Sequence, residues 1–195
     1  MSNGKKIENK YENPIDIILI KIIMTFNQFF YKLNFTPNMI TTLSLLLSVY
    51  GIYMIYVGSY RIGAILYFIG YMFDCMDGNY ARKYNMTSEF GDYYDHISDA
   101  TKIFLLALCI YLIKINYKTK LLFFSFTTIM LLLTLSHLGC QEQIKERNDK
   151  SVLELFKVLC KNPKYIYITR YFGCGTIQLL TTLFIFNIKF IDRLF

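Results

Sequence analysis

The stretch DCMDGNYARKYNMTSEFGDYYDHISD, residues 74–99, holds six of the fourteen acidic residues of the chain and joins two apolar segments. Those segments, residues 62–73 and 103–113, carry no charge. A helix of twelve residues covers about 18 Å, too little to cross a hydrocarbon core of about 30 Å. Continued through their acidic ends, both segments reach membrane length, and these ends meet across the short loop 83–88. The sequence therefore predicts a helix hairpin that carries a polar, functional cavity on one side of a membrane.

The composition indicates a membrane protein of one domain. Of the 195 residues, 54% are hydrophobic and 17% aromatic, and the mean hydropathy is +0.34. Only 18% are charged, against about 25% in ordinary soluble domains, so too little polar surface is available to cover a soluble globule. These values exclude disorder, collagen-like repeats and a disulfide-rich secreted module. The net charge of +7 indicates basic residues at the membrane edges and no nucleic-acid partner.

Three further uncharged stretches, residues 33–60, 121–141 and 171–188, are each long enough to cross the bilayer. Together with the hairpin they predict an all-α, polytopic membrane helix bundle of five transmembrane helices, or of six if residues 165–171 belong to a further span. Residues 1–12 are polar and predicted to be flexible, and residues 13–195 form a single membrane-embedded domain. At its start, Asn13-Pro14 opens a helix whose mixed apolar and charged residues favour an amphipathic, interfacial position.

The basic residues predict the orientation. Fourteen Lys and Arg residues fall on the side that holds the N-terminus and the acidic loop, and six fall on the opposite side. Because cytosolic loops carry the excess of Lys and Arg, we expect an integral membrane protein whose acidic cavity faces the cytosol. The five cysteines form no CxxC pair, which favours reduced thiols.

The acidic residues follow helical spacing. Asp74 and Asp77 lie three residues apart, so a helix places both carboxylates on one face. Gly91, Asp95 and Asp99 recur every four residues and form a matching stripe on the next helix. Four carboxylates in one cavity would repel one another unless divalent cations neutralise them, and carboxylate oxygens suit Mg²⁺ or Mn²⁺ better than Zn²⁺. Metals held in this way serve displacement at a phosphate or diphosphate, and ion transport is the alternative interpretation.

The same residues resemble a known family. Residues 74–99 match the pattern D-x2-D-G-x2-A-R-x8-G-x3-D-x3-D of the CDP-alcohol phosphotransferases at all eight fixed positions. Asn38 and Thr41 also resemble the stretch that opens the first span of that family. The resemblance implies a membrane transferase of phospholipid synthesis. Such an enzyme moves a substituted phosphate from a CDP-linked donor to an alcohol acceptor and releases CMP.

The resemblance also implies roles for individual residues. Asp74, Asp77 and Asp95 would hold two divalent ions, Mg²⁺ or Mn²⁺, with Asp99 near the second ion. Asp99 would also be the general base that takes the proton of the attacking hydroxyl. A larger set would surround the cytidine diphosphate: Asn38, Thr41, Gly78, Ala81, Arg82 and Ser88.

Several alternatives stay open at this point. The donor is CDP-diacylglycerol with a polar alcohol as acceptor, or a CDP-amino alcohol with diacylglycerol as acceptor. Members of the family commonly have six spans, so a homodimer is one way to complete a bundle of five. A Mg²⁺-dependent membrane prenyltransferase is a rival, although its Asn-Asp-x2-Asp motif is absent from the sequence. Lys102 can pair with Asp99 or with a donor phosphate, and Arg170 can anchor the chain at the membrane or bind an acceptor phosphate.

Overall fold

The computed structural model describes residues 4, 7–144 and 152–195. Over these residues the chain is an all-α helical bundle without strands, as predicted. Three 3-10 helices, Val152–Leu159, Pro163–Tyr165 and Arg170–Phe172, lie between the fifth and the seventh α-helix. The α-helices are α1 (Pro14–Lys32), α2 (Pro37–Tyr56), α3 (Tyr60–Lys83), α4 (Glu89–Leu112), α5 (Tyr117–Ile144), α6 (Ile166–Thr169), α7 (Cys174–Phe186) and α8 (Ile188–Asp192).

Polar side chains cap α4 of the acidic hairpin and the neighbouring helices α1 and α2, whereas α3 has no side-chain cap. The Asn13 side chain accepts hydrogen bonds from the first backbone N–H groups of α1, and Pro14 occupies the first turn. Thr36 caps α2 through the N–H of Met39. Ser88 caps α4 through the N–H of Gly91. Each cap satisfies a backbone donor that the helix leaves without an internal partner, so the sequence itself fixes where these helices begin.

The hairpin has the predicted form. Helices α3 and α4 each contain 24 residues and continue unbroken through their acidic ends. At 1.5 Å per residue, each is about 36 Å long and therefore reaches membrane length. The loop between them, residues 84–88, includes Asn85 with a positive φ of 56°, a backbone conformation that Asn tolerates better than most residues. The acidic ends of both helices therefore lie together at one end of the bundle.

The two ends of the bundle are packed differently. At the end remote from the acidic loop, a hydrophobic core joins α2, α3, α4, α5 and α7 around the fully buried Ile55, Ile110 and Ile185. At the acidic end, α1 packs Leu19 and Ile23 against α2 and α3. The amphipathic α1 thus shields the hairpin next to its charged residues.

Helices α2 and α3 approach each other closely at Gly51 and Gly63. A Cβ added at Gly63 would lie 2.5 Å from the Gly51 carbonyl oxygen and 2.8 Å from the Ile55 backbone nitrogen. Small residues of this kind let two membrane helices bring their backbones together. The contact sets the distance between α2 and the helix that carries Asp74 and Asp77.

The number of spans stays a prediction, and two details differ from the sequence analysis. Helices α1, α2 and α5 are long and apolar enough to cross a membrane, so α1 also meets the condition for a span. The span expected over residues 171–188 is instead the 13-residue helix α7. Gly173 adopts an extended conformation before α7, and the Asn187 side chain donates to the Leu183 carbonyl where α7 ends. These two residues interrupt a stretch that carries no charge in sequence.

The expectation of reduced thiols is wrong for two of the five cysteines. Cys140 of α5 and Cys160 form a disulfide across 20 residues of sequence. This spacing has no local CxxC signature, so only the folding of the segment after α5 brings the two thiols together. Cys75, Cys109 and Cys174 are free thiols. The segment after α5 contains the 3-10 helix Val152–Leu159, and residues 145–151 lie outside the described residues.

We predict that Gly63→Val destabilises the bundle by about 1–3 kcal/mol, because the added side chain forces α2 and α3 apart. The matched control is Ile62→Val, since Ile62 is 58% exposed on the adjacent face of α3 and its shortening leaves the α2–α3 contact intact. Thermal unfolding of the detergent-solubilised proteins, followed by circular dichroism, measures the difference. Equal melting temperatures for the two variants would contradict a close α2–α3 contact.

Candidate active site

The hairpin brings the predicted carboxylates together. Asp74 and Asp77 of α3 face Asp95 of α4, and one carboxylate oxygen from each lies within 4.8 Å of the other two. Asp77 is the most deeply buried, with 4% of its surface exposed. A second group shares Asp95: ligand atoms of Asp95, His96 and Asp99 also lie within 4.8 Å of one another. The structure therefore places all four Asp residues in two overlapping groups that share Asp95.

The donor set fits a divalent metal ion. Oxygens bound to one ion at about 2.1 Å lie at most about 4.2 Å apart, so only small side-chain movements separate the observed oxygens from coordination. Three carboxylates without a thiolate suit Mg²⁺ or Mn²⁺ better than softer metals. His96 contributes less to this set, because its Nε2 lies 3.6 Å from Asp92 Oδ1, one turn earlier on α4.

Two side chains of helix α2 donate hydrogen bonds to the carboxylates of α3. The Thr41 hydroxyl donates a hydrogen bond of 2.6 Å to Asp77 Oδ2. Ser44, one turn later, donates a longer bond of 3.4 Å to Asp74 Oδ1. Both residues are buried. The family resemblance predicted Thr41 in a nucleotide pocket and gave no role to Ser44. The two hydroxyl residues lie three positions apart in a mostly apolar span, and this spacing is the sequence signal for their hydrogen bonds to the carboxylates.

Lys102 pairs with two of the acids. Its ammonium forms ion pairs with Asp74 of α3 and, at 2.7 Å, with Asp99 of its own helix. The Ser44 hydroxyl is a third partner at 3.3 Å. The pairing with Asp99 is one of the two arrangements that the sequence left open, and the pairing with Asp74 is additional. The Asp99 side chain remains 41% exposed, so it is the acid of this pair that faces the cavity.

The residues expected around a nucleotide fall into two places. Gly78, Ala81 and Arg82 lie on α3, where a Cβ added at Gly78 would be 3.2 Å from an Arg82 guanidinium nitrogen. Arg82 Nε donates to the Gly4 carbonyl at 2.9 Å. Asn38 and Ser88 lie near the start of α4, since both approach Gly91. Each of these residues borders the acidic end of the hairpin, and their binding of a nucleotide stays a prediction.

Polar contacts that the sequence did not reveal hold α1 beside the site. The Tyr71 hydroxyl donates a 2.6 Å hydrogen bond to Asp16 Oδ1, and the Gly175 N–H donates to Asp16 Oδ2. Asn27 Nδ2 donates to Asn79 Oδ1 on α3. These contacts join α1 to α3 and α7 in the buried interior. The only signal in the sequence was the presence of polar residues in an otherwise apolar helix. An interfacial position for α1 would have exposed these polar residues to solvent.

Arg170 lies outside the acidic cluster. Its guanidinium donates to the Lys10 carbonyl, and its own carbonyl accepts from the Asn13 side chain at 2.6 Å. The residue therefore links the segment before α1 to the segment before α7. This link within the chain is neither of the two roles that the sequence left open, and both stay predictions.

Comparison with known proteins identifies the family to which this site corresponds. A family model described as CDP-alcohol phosphatidyltransferase matches residues 34–186, which include α2, the whole acidic hairpin, α5 and α7. An uncharacterized protein of Aquifex aeolicus (strain VF5) is 35% identical to the chain over 71 residues. That region covers 36% of the chain and 36% of the Aquifex protein, so the chain matches little more than a third of the length of this curated relative.

We predict that Thr41→Val weakens divalent-ion binding by about 10–100-fold, because supporting hydrogen bonds orient a metal ligand. Valine keeps the shape of threonine but cannot donate to Asp77. Thr41→Ser should restore most of the affinity. Thr42→Val is the matched control, since Thr42 bonds to the Tyr94 hydroxyl instead. Mn²⁺ titration of the purified proteins measures the effect, and equal affinities for Thr41→Val and Thr42→Val would refute it.

Proposed function

The chain belongs to the CDP-alcohol phosphatidyltransferase family, a family of transferases, and on that premise we propose that it moves a substituted phosphate from a CDP-linked donor to an alcohol acceptor in phospholipid synthesis. The observation that carries the proposal is the convergence of Asp74, Asp77 and Asp95 from two helices to within 4.8 Å. These are three of the four Asp residues of the family pattern. The cluster lies at one end of a bundle with helices that are apolar enough to span a membrane.

Two divalent ions, Mg²⁺ or Mn²⁺, are the cofactors of this proposal. Asp74, Asp77 and Asp95 would hold them, with Asp99 near the second. When bound, such ions neutralise the charge of a diphosphate and position the entering and leaving oxygens. The hard oxygen donors of the site support this assignment.

Asp99 is the proposed general base. As the acceptor oxygen bonds to the phosphorus that carries the donor's substituent, the hydroxyl proton passes to the Asp99 carboxylate. The bond between that phosphorus and the CMP oxygen breaks, and CMP leaves with the bonding electrons. The partial exposure of Asp99 supports this role, because a base must reach the proton that it removes.

Arg82 and its neighbours are the proposed contacts of the cytidine diphosphate. A guanidinium offers a diphosphate two parallel N–H donors. The absence of a side chain at Gly78 leaves room beside that guanidinium, and Ala81 is similarly small. Asn38 and Ser88 would approach the donor from the start of α4. Thr41 would act on this pocket through Asp77.

Two donor classes fit the proposal. Tyr94-Asp95-His96 resembles the Phe-Asp-His of enzymes that use a CDP-amino alcohol with diacylglycerol as acceptor. CDP-diacylglycerol with a polar alcohol as acceptor is the second donor class. The mass of the lipid product distinguishes these two possibilities.

We predict that the purified protein releases CMP in the presence of Mg²⁺ or Mn²⁺, one of these CDP donors and its acceptor. Asp99→Asn should lower the rate by at least about 100-fold, since the amide cannot accept the proton. Asp92→Asn is the matched control on the same helix and should stay within about twofold of the unsubstituted protein. If no CDP donor yields CMP, the proposed transfer is wrong. Consumption of a prenyl diphosphate would favour the prenyltransferase, and ion flux without turnover would favour a transporter.

The proposed active site faces the cytosol. The distribution of Lys and Arg supports this orientation. The disulfide between Cys140 and Cys160 lies at the same end of the bundle and argues for the opposite side, because disulfides are rare in the cytosol. The excess of basic residues comes from three separate segments: the N-terminal region, the C-terminal end of α3, and the region between α5 and α7. It supports the cytosolic side.

A labelling experiment tests the orientation. We predict that Thr87→Cys, in the exposed loop between α3 and α4, reacts with a membrane-impermeant maleimide only after the cells are permeabilised. Lys114→Cys, at the opposite end of α4, should react in intact cells. The labelling of each variant is compared with that of the unsubstituted protein, so that any labelling of the native thiols is subtracted. Labelling of Thr87→Cys in intact cells would reverse the orientation and agree with an oxidising environment around Cys140.

A further inference from the structure

Lys102 is a basic side chain inside the acidic site, and no feature of the family pattern requires it. Only 6% of the residue is exposed. Its ammonium meets one oxygen from each of three helices: Ser44 of α2, Asp74 of α3 and Asp99 of α4. An ammonium has three N–H donors, so these three contacts satisfy all of them. Every N–H donor of the ammonium therefore has a partner, and these contacts fix the position of Lys102 among the acids.

The position of this ammonium leads to the inference. Lys102 bridges carboxylates of both hairpin helices, which is also what a divalent ion between Asp74 and Asp99 would do. We propose that Lys102 is a built-in cation that competes with the second divalent ion and makes the two ions bind with unequal affinity. The inference rests on the proposed two-metal function. Lys102 is in this sense a positioning residue that acts through Asp74 and Asp99.

The two proposed ions differ in what they would displace. The first, held by Asp74, Asp77 and Asp95, would share one of its three ligands with Lys102. The second, held through Asp74 and Asp99, would take both carboxylates from the lysine. Separating a buried charge from its partners is costly, so the second ion binds more weakly as long as the ammonium has no other acceptor.

An anionic donor can supply that acceptor. A diphosphate bound beside the cluster offers oxygens to the displaced ammonium and carries negative charge that favours a second cation. The arrangement therefore couples full metal loading to the arrival of the donor. In the absence of donor, Lys102 offsets part of the negative charge of Asp74 and Asp99 and joins α4 to α3.

The test is an Mn²⁺ titration of the full chain in detergent without nucleotide, followed by the paramagnetic resonance signal of free Mn²⁺. We expect one ion to bind at least about tenfold more tightly than the second. Lys102→Met should tighten the second ion by about tenfold and change the first by less than about threefold. Lys102→Arg retains the charge and should keep the second ion weak. Lys114→Met, which removes a lysine at the opposite end of α4, is the matched control.

Thermal unfolding guards against a variant that fails to fold. Without metal, Lys102→Met should melt at a lower temperature than the unsubstituted protein, because Asp74 and Asp99 lose their cation. Added Mn²⁺ should then raise its melting temperature by more than it raises that of the unsubstituted protein. If Lys102→Met does not fold even with Mn²⁺, Lys102→Gln provides the same comparison with a polar, neutral side chain.

The outcomes separate this inference from the proposed function. Equal affinity for the second ion in the unsubstituted protein and in the neutral variants overturns the role of Lys102. Weaker binding of the second ion in those variants also overturns it. If Lys102→Met behaves as expected while no CDP donor yields CMP, the role of Lys102 stands and the proposed transfer fails. If neither protein binds Mn²⁺, both are wrong.

Discussion

The close approach of four carboxylates inside a membrane bundle is the constraint on which the rest of the structure depends. Like charges repel strongly where little water screens them, and an ionisable group in a membrane helix needs a partner or a polar cavity. The bundle meets this requirement with groups from α2 and α4. Lys102 of α4 pairs with both Asp74 and Asp99, and Thr41 of α2 donates to the buried Asp77. A cavity that needs positive charge in this way is suited to receive metal ions and a diphosphate.

Small residues and polar anchors make that cluster possible. Close contact between α2 and α3 at Gly51, Gly63 and Gly70 brings the short side chain of Thr41 within reach of Asp77. On the opposite face of α3, Asp16 fixes α1 through Tyr71. One apolar core lies at the other end of the bundle, and a second packs α1 against α2 and α3 at the acidic end. Apolar packing therefore supports both ends, and hydrogen bonds and ion pairs position the functional groups at the acidic one.

The differences between expectation and structure have physical causes that a single sequence does not display. Hydropathy cannot distinguish a continuous span from α7, because the interruption comes from the conformation of Gly173 and the capping by Asn187. The Cys140–Cys160 disulfide depends on how the chain returns after α5. Amphipathicity predicted an interfacial position for α1, but its polar residue Asp16 is buried against Tyr71 because α1 packs onto α3.

The sequence by itself determined the class of fold, the hairpin and the four acids that share one cavity, because helical periodicity and the length of uncharged stretches are local properties. It also determined the family, because the family pattern over residues 74–99 consists of eight fixed residues at fixed spacings. Only the tertiary structure decided which groups support those acids. The hydroxyl of Thr41 on α2 reaches Asp77 on α3, and the ammonium of Lys102 on α4 reaches Asp74 on α3. The pairing of Lys102 with Asp99, three residues away on the same helix, was already one of the arrangements that the sequence offered. The contacts with Asp77 and Asp74 depend on distances between helices, and no spacing along the chain encodes those distances.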